Sequence, residues 1–154
     1  MIKTNVIVNN ISWNKYLKNP SSFVDKAILS INKKNRLFKK KIFIFTLLLT
    51  DTTEIKKLNK KFRKKNKSTD VLSFPFYERK ELKSKIRNNK EIYLGDIIIN
   101  LNKIKNKNNK LKFNEALNKL WVHGLVHLFG YKHKKNKDFI DMSKIEKKYL
   151  KYIS

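Results

Sequence analysis

Residues 120–129 constrain this chain more than any other stretch: they are apolar on nearly every side, yet carry two of its three histidines. Leu120, Trp121, Val122, Leu125, Val126, Leu128 and Phe129 leave a helix here no polar face for water, so it is buried. His123 and His127, four apart, stack on one helical face. Gly130 then ends the helix, and its tolerance of positive φ lets the backbone reverse and carry His133 toward the other two. Buried imidazoles need partners. A lone histidine in such a place is usually a satisfied core residue, but three at this spacing around a glycine break predict a shared metal ion. Their nitrogens fill three corners of a tetrahedron, with Zn–N distances of about 2.0–2.1 Å and the fourth corner left for water. The expected ligands are His123, His127 and His133, and the expected cofactor is one Zn²⁺.

The same spacing, H-x-x-x-H-x-x-G-x-x-H, occurs in metzincin peptidases, which place a Glu directly after the first His as general base. Here that position is Gly124. A peptidase reading keeps its metal and loses its base. Met142 fits a core-facing position of a helix over 139–149 better than a Met-turn.

Composition narrows the chemistry further. The chain has no cysteine, so it has no disulfide partner, no thiolate ligand and no cysteine nucleophile. Its 154 residues fit a single domain over 1–154. The longest apolar run, 42–49, is far short of the ~20 residues that cross a bilayer, and MIKTNVIVNN lacks the apolar core of a secretory signal. Both features predict a cytoplasmic protein without a membrane partner. Lysine and arginine number 38 against 12 acidic residues, a formal +26 that favours a polyanion such as RNA. The surplus is nearly all lysine in a chain crowded with Asn and Ile, the mix that AT-rich coding leaves at tolerant surface positions. It permits an RNA partner without proving one.

Alternation predicts a strand over 2–8; further strands are expected over 71–76, which Pro75 either puts at a sheet edge or ends, and over 92–99. The continuous apolar run 42–49 predicts a central strand covered on both faces. Pro20-Ser21-Ser22 starts a helix whose apolar face holds Phe23, Ala27, Ile28 and Ile31. Thr52 or Thr53 caps a second helix, with Ile55, Leu58 and Phe62 on one side and Lys56, Lys57, Lys60, Arg63 and Lys64 on the other. Residues 33–41 read as a basic connection, 77–91 as a mobile charged loop, and 100–112 as polar with weak helical character. Helices follow over 113–129 and 139–149.

Taken together, three blocks resemble the YbeY family of bacterial rRNA maturation factors, which are metal-dependent endoribonucleases. The family pattern H-G-x-L-H-L-x-G-Y-D-H reads HGLVHLFGYKH here. A second block is Leu58-Asn59, Phe62-Arg63 and 68–75, STDVLSFP; a third is Leu94-Gly95-Asp96-Ile97. The resemblance implies an α+β domain, a mixed sheet of about four strands flanked by helices with the histidine helix buried beside it. It also implies His123, His127 and His133 as zinc ligands, Arg63 as the functional arginine, and single-stranded RNA as substrate. The target implied is the 3′ end of small-subunit (16S) rRNA, which makes the small ribosomal subunit a partner. Lys132 departs from the pattern, standing where the family has Asp beside a ligand, and Val126 replaces a usual Leu.

Arg63 suits a phosphodiester because its planar fork holds two oxygens at once and stabilises developing charge. Lys60, Lys61, Lys64, Lys65 and Lys67 are expected to track phosphates beside it. Asp70 reads as a turn cap and Asp96 as a strand-edge acceptor rather than as site residues. Ser73 lacks the flanking glycines of a nucleophile elbow. Phe76 and Tyr77 offer rings for base stacking, though core packing is the commoner fate of such residues. The competing reading is a non-catalytic, RNA-binding assembly factor with a structural metal, closed by a fourth ligand such as Glu146 or Asp138.

Overall fold

The computed structural model describes residues 1–36 and 39–154. In chain order its elements are β1 (Ile2–Val8), α1 (Pro20–Lys34), β2 (Ile42–Thr50), α2 (Thr52–Arg63), β3 (Val71–Pro75), α3 (Arg79–Asn88), β4 (Glu91–Asn100), α4 (Lys110–Leu128) and α5 (Asn136–Ile153). The strands form one sheet in the order β1-β2-β4-β3. β1, β2 and β4 run parallel, and β3 lies antiparallel to β4 at the edge where Pro75 places it. This is the mixed, helix-flanked α+β sheet the sequence predicts.

One face of that sheet is sealed. Phe43, Phe45, Leu47, Leu49, Ile97 and Ile99 meet α1, α4 and α5 in a single apolar core that also buries Trp13, Trp121 and Met142. Trp13 lends its indole N–H to the Thr50 carbonyl at 2.9 Å, so its one polar atom is satisfied. α4 lies unusually close to β4, because a Cβ on Gly124 would stand 2.8 Å from Ile97 Cγ2. Only glycine permits that approach without displacing the isoleucine.

The other face is half open. α2 packs Ile55 and Leu58 onto Leu48, Leu72, Ile98 and Phe74, a satellite core at one end of the sheet. Beyond it the residues of β2 alternate buried with half-buried. The expectation that 42–49 is covered on both faces therefore fails: a run of apolar side chains fixes the strand but not what covers its second face.

Three other expectations change. Residues 77–91 are not a mobile loop but carry α3, held by the buried Leu82 with Ile86 and Tyr77 packed beside it. Two apolar residues four apart are a thin signal, yet Lys, Arg, Glu and Leu are strong helix formers. Asp51, not Thr52 or Thr53, caps α2, accepting from the Glu54 N–H at 2.9 Å and from the Asn10 amide. The weak helix expected over 100–112 is a 3₁₀ turn at Leu101–Lys103 followed by a loop, with Asn109 capping α4. Within the basic connection over 33–41, residues 37–38 lie outside the described residues.

Candidate metal centre

α4 ends where the histidines begin to matter. Gly130, at φ +94°, is the left-handed residue of a Schellman turn, with Tyr131 N–H bonded to Val126 O and Gly130 N–H to His127 O. The turn folds the chain back so that His133 meets His123 and His127, and one ring nitrogen from each lies within 4.8 Å of the others. His123 and His127 are half-buried on α4, while His133 is exposed on the following loop.

Each helical imidazole is fixed from behind. His127 Nδ1 sits 2.8 Å from the Tyr131 carbonyl, and His123 Nδ1 lies 2.9 Å from Glu146 Oε1 on α5. A carbonyl and a carboxylate accept, so each Nδ1 donates behind its ring, and the neutral Nδ1–H tautomer leaves Nε2 free to ligate. Those two Nε2 atoms face each other at 3.1 Å. In the neutral Nδ1–H tautomer both lone pairs turn toward the place a cation would take. Tetrahedral ligands about 2.05 Å from zinc stand about 3.3 Å apart, so the donor set fits a divalent ion. Burial and the neighbouring His123 lower the His127 pKa to about 4, against a smaller pull upward from the Tyr131 carbonyl. The ring is therefore neutral, as a ligand must be.

Glu146, one candidate for a fourth ligand, is engaged with the far side of His123. It orients that ring instead of closing the site. The histidines open into a cleft of about 540 Å³ that is also lined by Arg63, Ser73, Tyr77, Arg79 and Lys132. Arg63 is the last residue of α2, after which Lys64 adopts φ 55° and Asn59 locks the turn by donating to the Lys67 carbonyl at 2.9 Å. Its positive charge contributes to depressing the His127 pKa.

The remaining predicted residues divide. Lys60, Lys61, Lys64, Lys65 and Lys67 are exposed and lie outside the cleft lining. Asp70 reaches the rim and takes a bond from the Thr69 hydroxyl at 3.3 Å. Asp96 accepts from the Tyr93 hydroxyl, as a strand acceptor would. Phe76 does not join the core. Arg79 is a cleft residue that sequence reasoning missed, because it lies in the stretch taken for a loop. Its guanidinium stands 5.6 Å over the Tyr131 ring and its side chain packs near Gly130. Lys132 Nζ lies 3.7 Å from Glu78 Oε2 at the cleft mouth.

Comparisons with known proteins point to one family. The family described as Endoribonuclease YbeY matches residues 7–154. The chain is 42% identical to the Endoribonuclease YbeY of Pelagibacter ubique, with 99% of this chain and 97% of that one covered. It is 35% identical to the protein of the same name from Buchnera aphidicola subsp. Schizaphis graminum, covering all of this chain and 94% of that one. The solution structure of TM1509 from Thermotoga maritima is similar at TM-score 0.57 and 25% identity, over 99% of this chain and 89% of that one.

Proposed function

This chain belongs to the Endoribonuclease YbeY family, and from that premise we propose that it is a zinc-dependent endoribonuclease that cuts single-stranded RNA in ribosome biogenesis, acting in the cytoplasm on the 3′ end of small-subunit rRNA. One observation carries the metal dependence: the Nε2 atoms of His123 and His127 stand 3.1 Å apart, with a His133 ring nitrogen close enough to share an ion with them. The ribosomal target rests on the family resemblance, and the +26 charge supports a polyanionic substrate.

His123, His127 and His133 would hold the ion. It would supply Lewis acidity, polarising a phosphoryl oxygen and lowering the pKa of water toward about 7. The protein does the rest. Glu146 and the Tyr131 carbonyl keep both helical rings in the tautomer that points Nε2 into the cleft. Arg63 reaches the same cleft from α2, where its fork can take two non-bridging oxygens and balance the charge that builds as the bond breaks.

The packing of Gly124 removes the peptidase alternative. A glutamate there would have to displace Ile97 from the sealed face before it could act as a base. The assembly-factor reading needs a closed site, and the nearby carboxylate of Glu146 is already committed to His123 Nδ1. The deciding experiment compares the wild type with His123→Ala for bound zinc and for cleavage of an rRNA fragment, at matched RNA occupancy. Zinc and cleavage should vanish together while far-UV circular dichroism persists. Equal cleavage by the two proteins would overturn the assignment.

A further inference from the structure

We propose that the open half-face of the sheet beside β3 is a stacking platform for unpaired bases of the RNA strand whose phosphate lies in the metal cleft. The inference rests on the endoribonuclease reading and extends it to how the strand is held.

β3 is an edge strand with two working faces. Val71 and Tyr77 pack toward the main core and line the cleft, whereas Leu72 and Phe74 turn toward α2, with Phe74 also reaching the cleft lining. Two aromatic pairs follow on that second side. Phe62, at the last turn of α2, meets Phe74 edge-to-face with centroids 5.6 Å apart. Phe76 meets Tyr93 of β4 in the same manner at 5.8 Å. Phe62 is 60% exposed and Phe76 63%, so neither ring is a core member. Tyr93 is tethered through its hydroxyl to Thr46 and Asp96, which fixes the far end of the row.

Single exposed apolar residues need no explanation. This row does, because it is aromatic, continuous with the cleft through Phe74 and flanked by a cation. Lys61 Nζ stands 5.2 Å over the Phe62 ring. Arg63 follows Phe62 directly. Consecutive helical residues point about 100° apart, so one turn offers a guanidinium to the cleft and a ring to the open face. A strand crossing the β3 edge there passes from phosphate contact to base contact. Asp96, which accepts from the Tyr93 hydroxyl, carries the opposing charge at the far end of the row and favours bases rather than phosphates there. Unpaired bases present the flat π surfaces such rings stack on, and a duplex does not release them.

The test is fluorescence anisotropy with the full chain in EDTA, which stops cleavage. The probes are a short labelled unstructured oligoribonucleotide and its abasic ribose-phosphate counterpart at one salt concentration. Phe62→Leu and Phe76→Leu should each weaken binding of the base-bearing strand about 5- to 10-fold and leave the abasic strand unchanged. Phe62→Tyr should bind like wild type, which separates loss of stacking from loss of fold. Leucine variants that bind the base-bearing strand as wild type does, or that lose both strands equally, would overturn the platform. A wild type that shows ring-dependent binding but no zinc-dependent cleavage would sink the nuclease reading and leave the platform standing.

Discussion

The two faces of the sheet solve different problems. On the sealed face, α4 approaches β4 so closely that a methyl group has no room at Gly124, and Phe45, Leu47, Leu49 and Ile97 show no exposure. On the open face, α2 covers one end only, and large rings stay in water. His123 and His127 belong to the sealed side through α4, and Arg63 belongs to the open side through α2. They meet across the edge strand β3, whose residues line the cleft between them. Metal ligands must be held to a fraction of an ångström, which a close-packed helix does well. A substrate-gripping cation needs to be reached by a flexible polymer, which an exposed helix end permits.

That division predicts opposite phenotypes. Arg63→Ala should lower kcat for RNA cleavage about 100- to 1,000-fold, the usual loss when one donor to developing charge is removed, while Tm stays where it is because the residue is exposed. Arg63→Lys should recover little, since a point charge does not reproduce the two-pronged grip. A large drop in Tm for either variant would show that α2 is part of the rigid scaffold.

Gly124→Ala should do the reverse. Its new methyl collides with the branched side chain of Ile97, and overpacking of this kind costs about 1–3 kcal/mol. Urea denaturation of the metal-free protein should show it as a lower midpoint at unchanged slope. Should the midpoint not move, α4 rides more loosely on β4 than the distances allow, and the contrast between the faces collapses.

Much of this division was legible before the fold was known, and the parts that were not have physical reasons. The histidine helix and β2 announce themselves because their apolar runs are long, and HGLVHLFGYKH needs only a helix and a glycine turn to converge. The α3 helix leaves a faint trace in the sequence, because Leu82 and Ile86 are its apolar anchors. Asp51 competes as a cap with the two threonines that follow it, yet it is its carboxylate that reaches the Glu54 N–H. The open face was hidden for a deeper reason. IFIFTLLL reads as buried on both sides, but alternate residues are only half-covered, with α2 packed over Leu48 at one end of that face. Nor does any local pattern say that Arg63 and Arg79, from different helices, share one cleft.

A pH titration sharpens the sealed side specifically. In the folded metal-free chain His127 takes up its proton only near pH 4, whereas the unfolded chain does so at the ordinary 6.5. Between those values the unfolded state binds a proton that the folded state refuses. Stability from this group is thus complete above pH 6.5 and declines as pH falls toward 4. The variant His127→Gln should lose that slope, measured as urea midpoint against pH in EDTA. An unchanged slope would mean the ring is not shielded by α4 as its burial indicates.

The smallest effect expected comes from Lys132, at the mouth where the two sides meet. It lies next to His133 and 3.7 Å from Glu78, but both partners are well exposed, at 57% and 79%, so the pair itself holds little stability. What the lysine changes is charge. A cation beside a ligand opposes a second cation arriving at the site, while an aspartate in its place favours the ion and can orient a neighbouring imidazole. Against this, a lysine at the cleft mouth attracts the RNA backbone. The two influences act on different constants, so Lys132→Asp should tighten zinc binding modestly, raise kcat by no more than a few-fold, and increase KM for RNA at low salt. The KM penalty should fade as salt is raised, because exposed charges are screened while the metal site is not. If kcat and KM both stay at wild-type values across the salt series, residue 132 acts on neither the ion nor the strand, and the cleft mouth belongs to neither face.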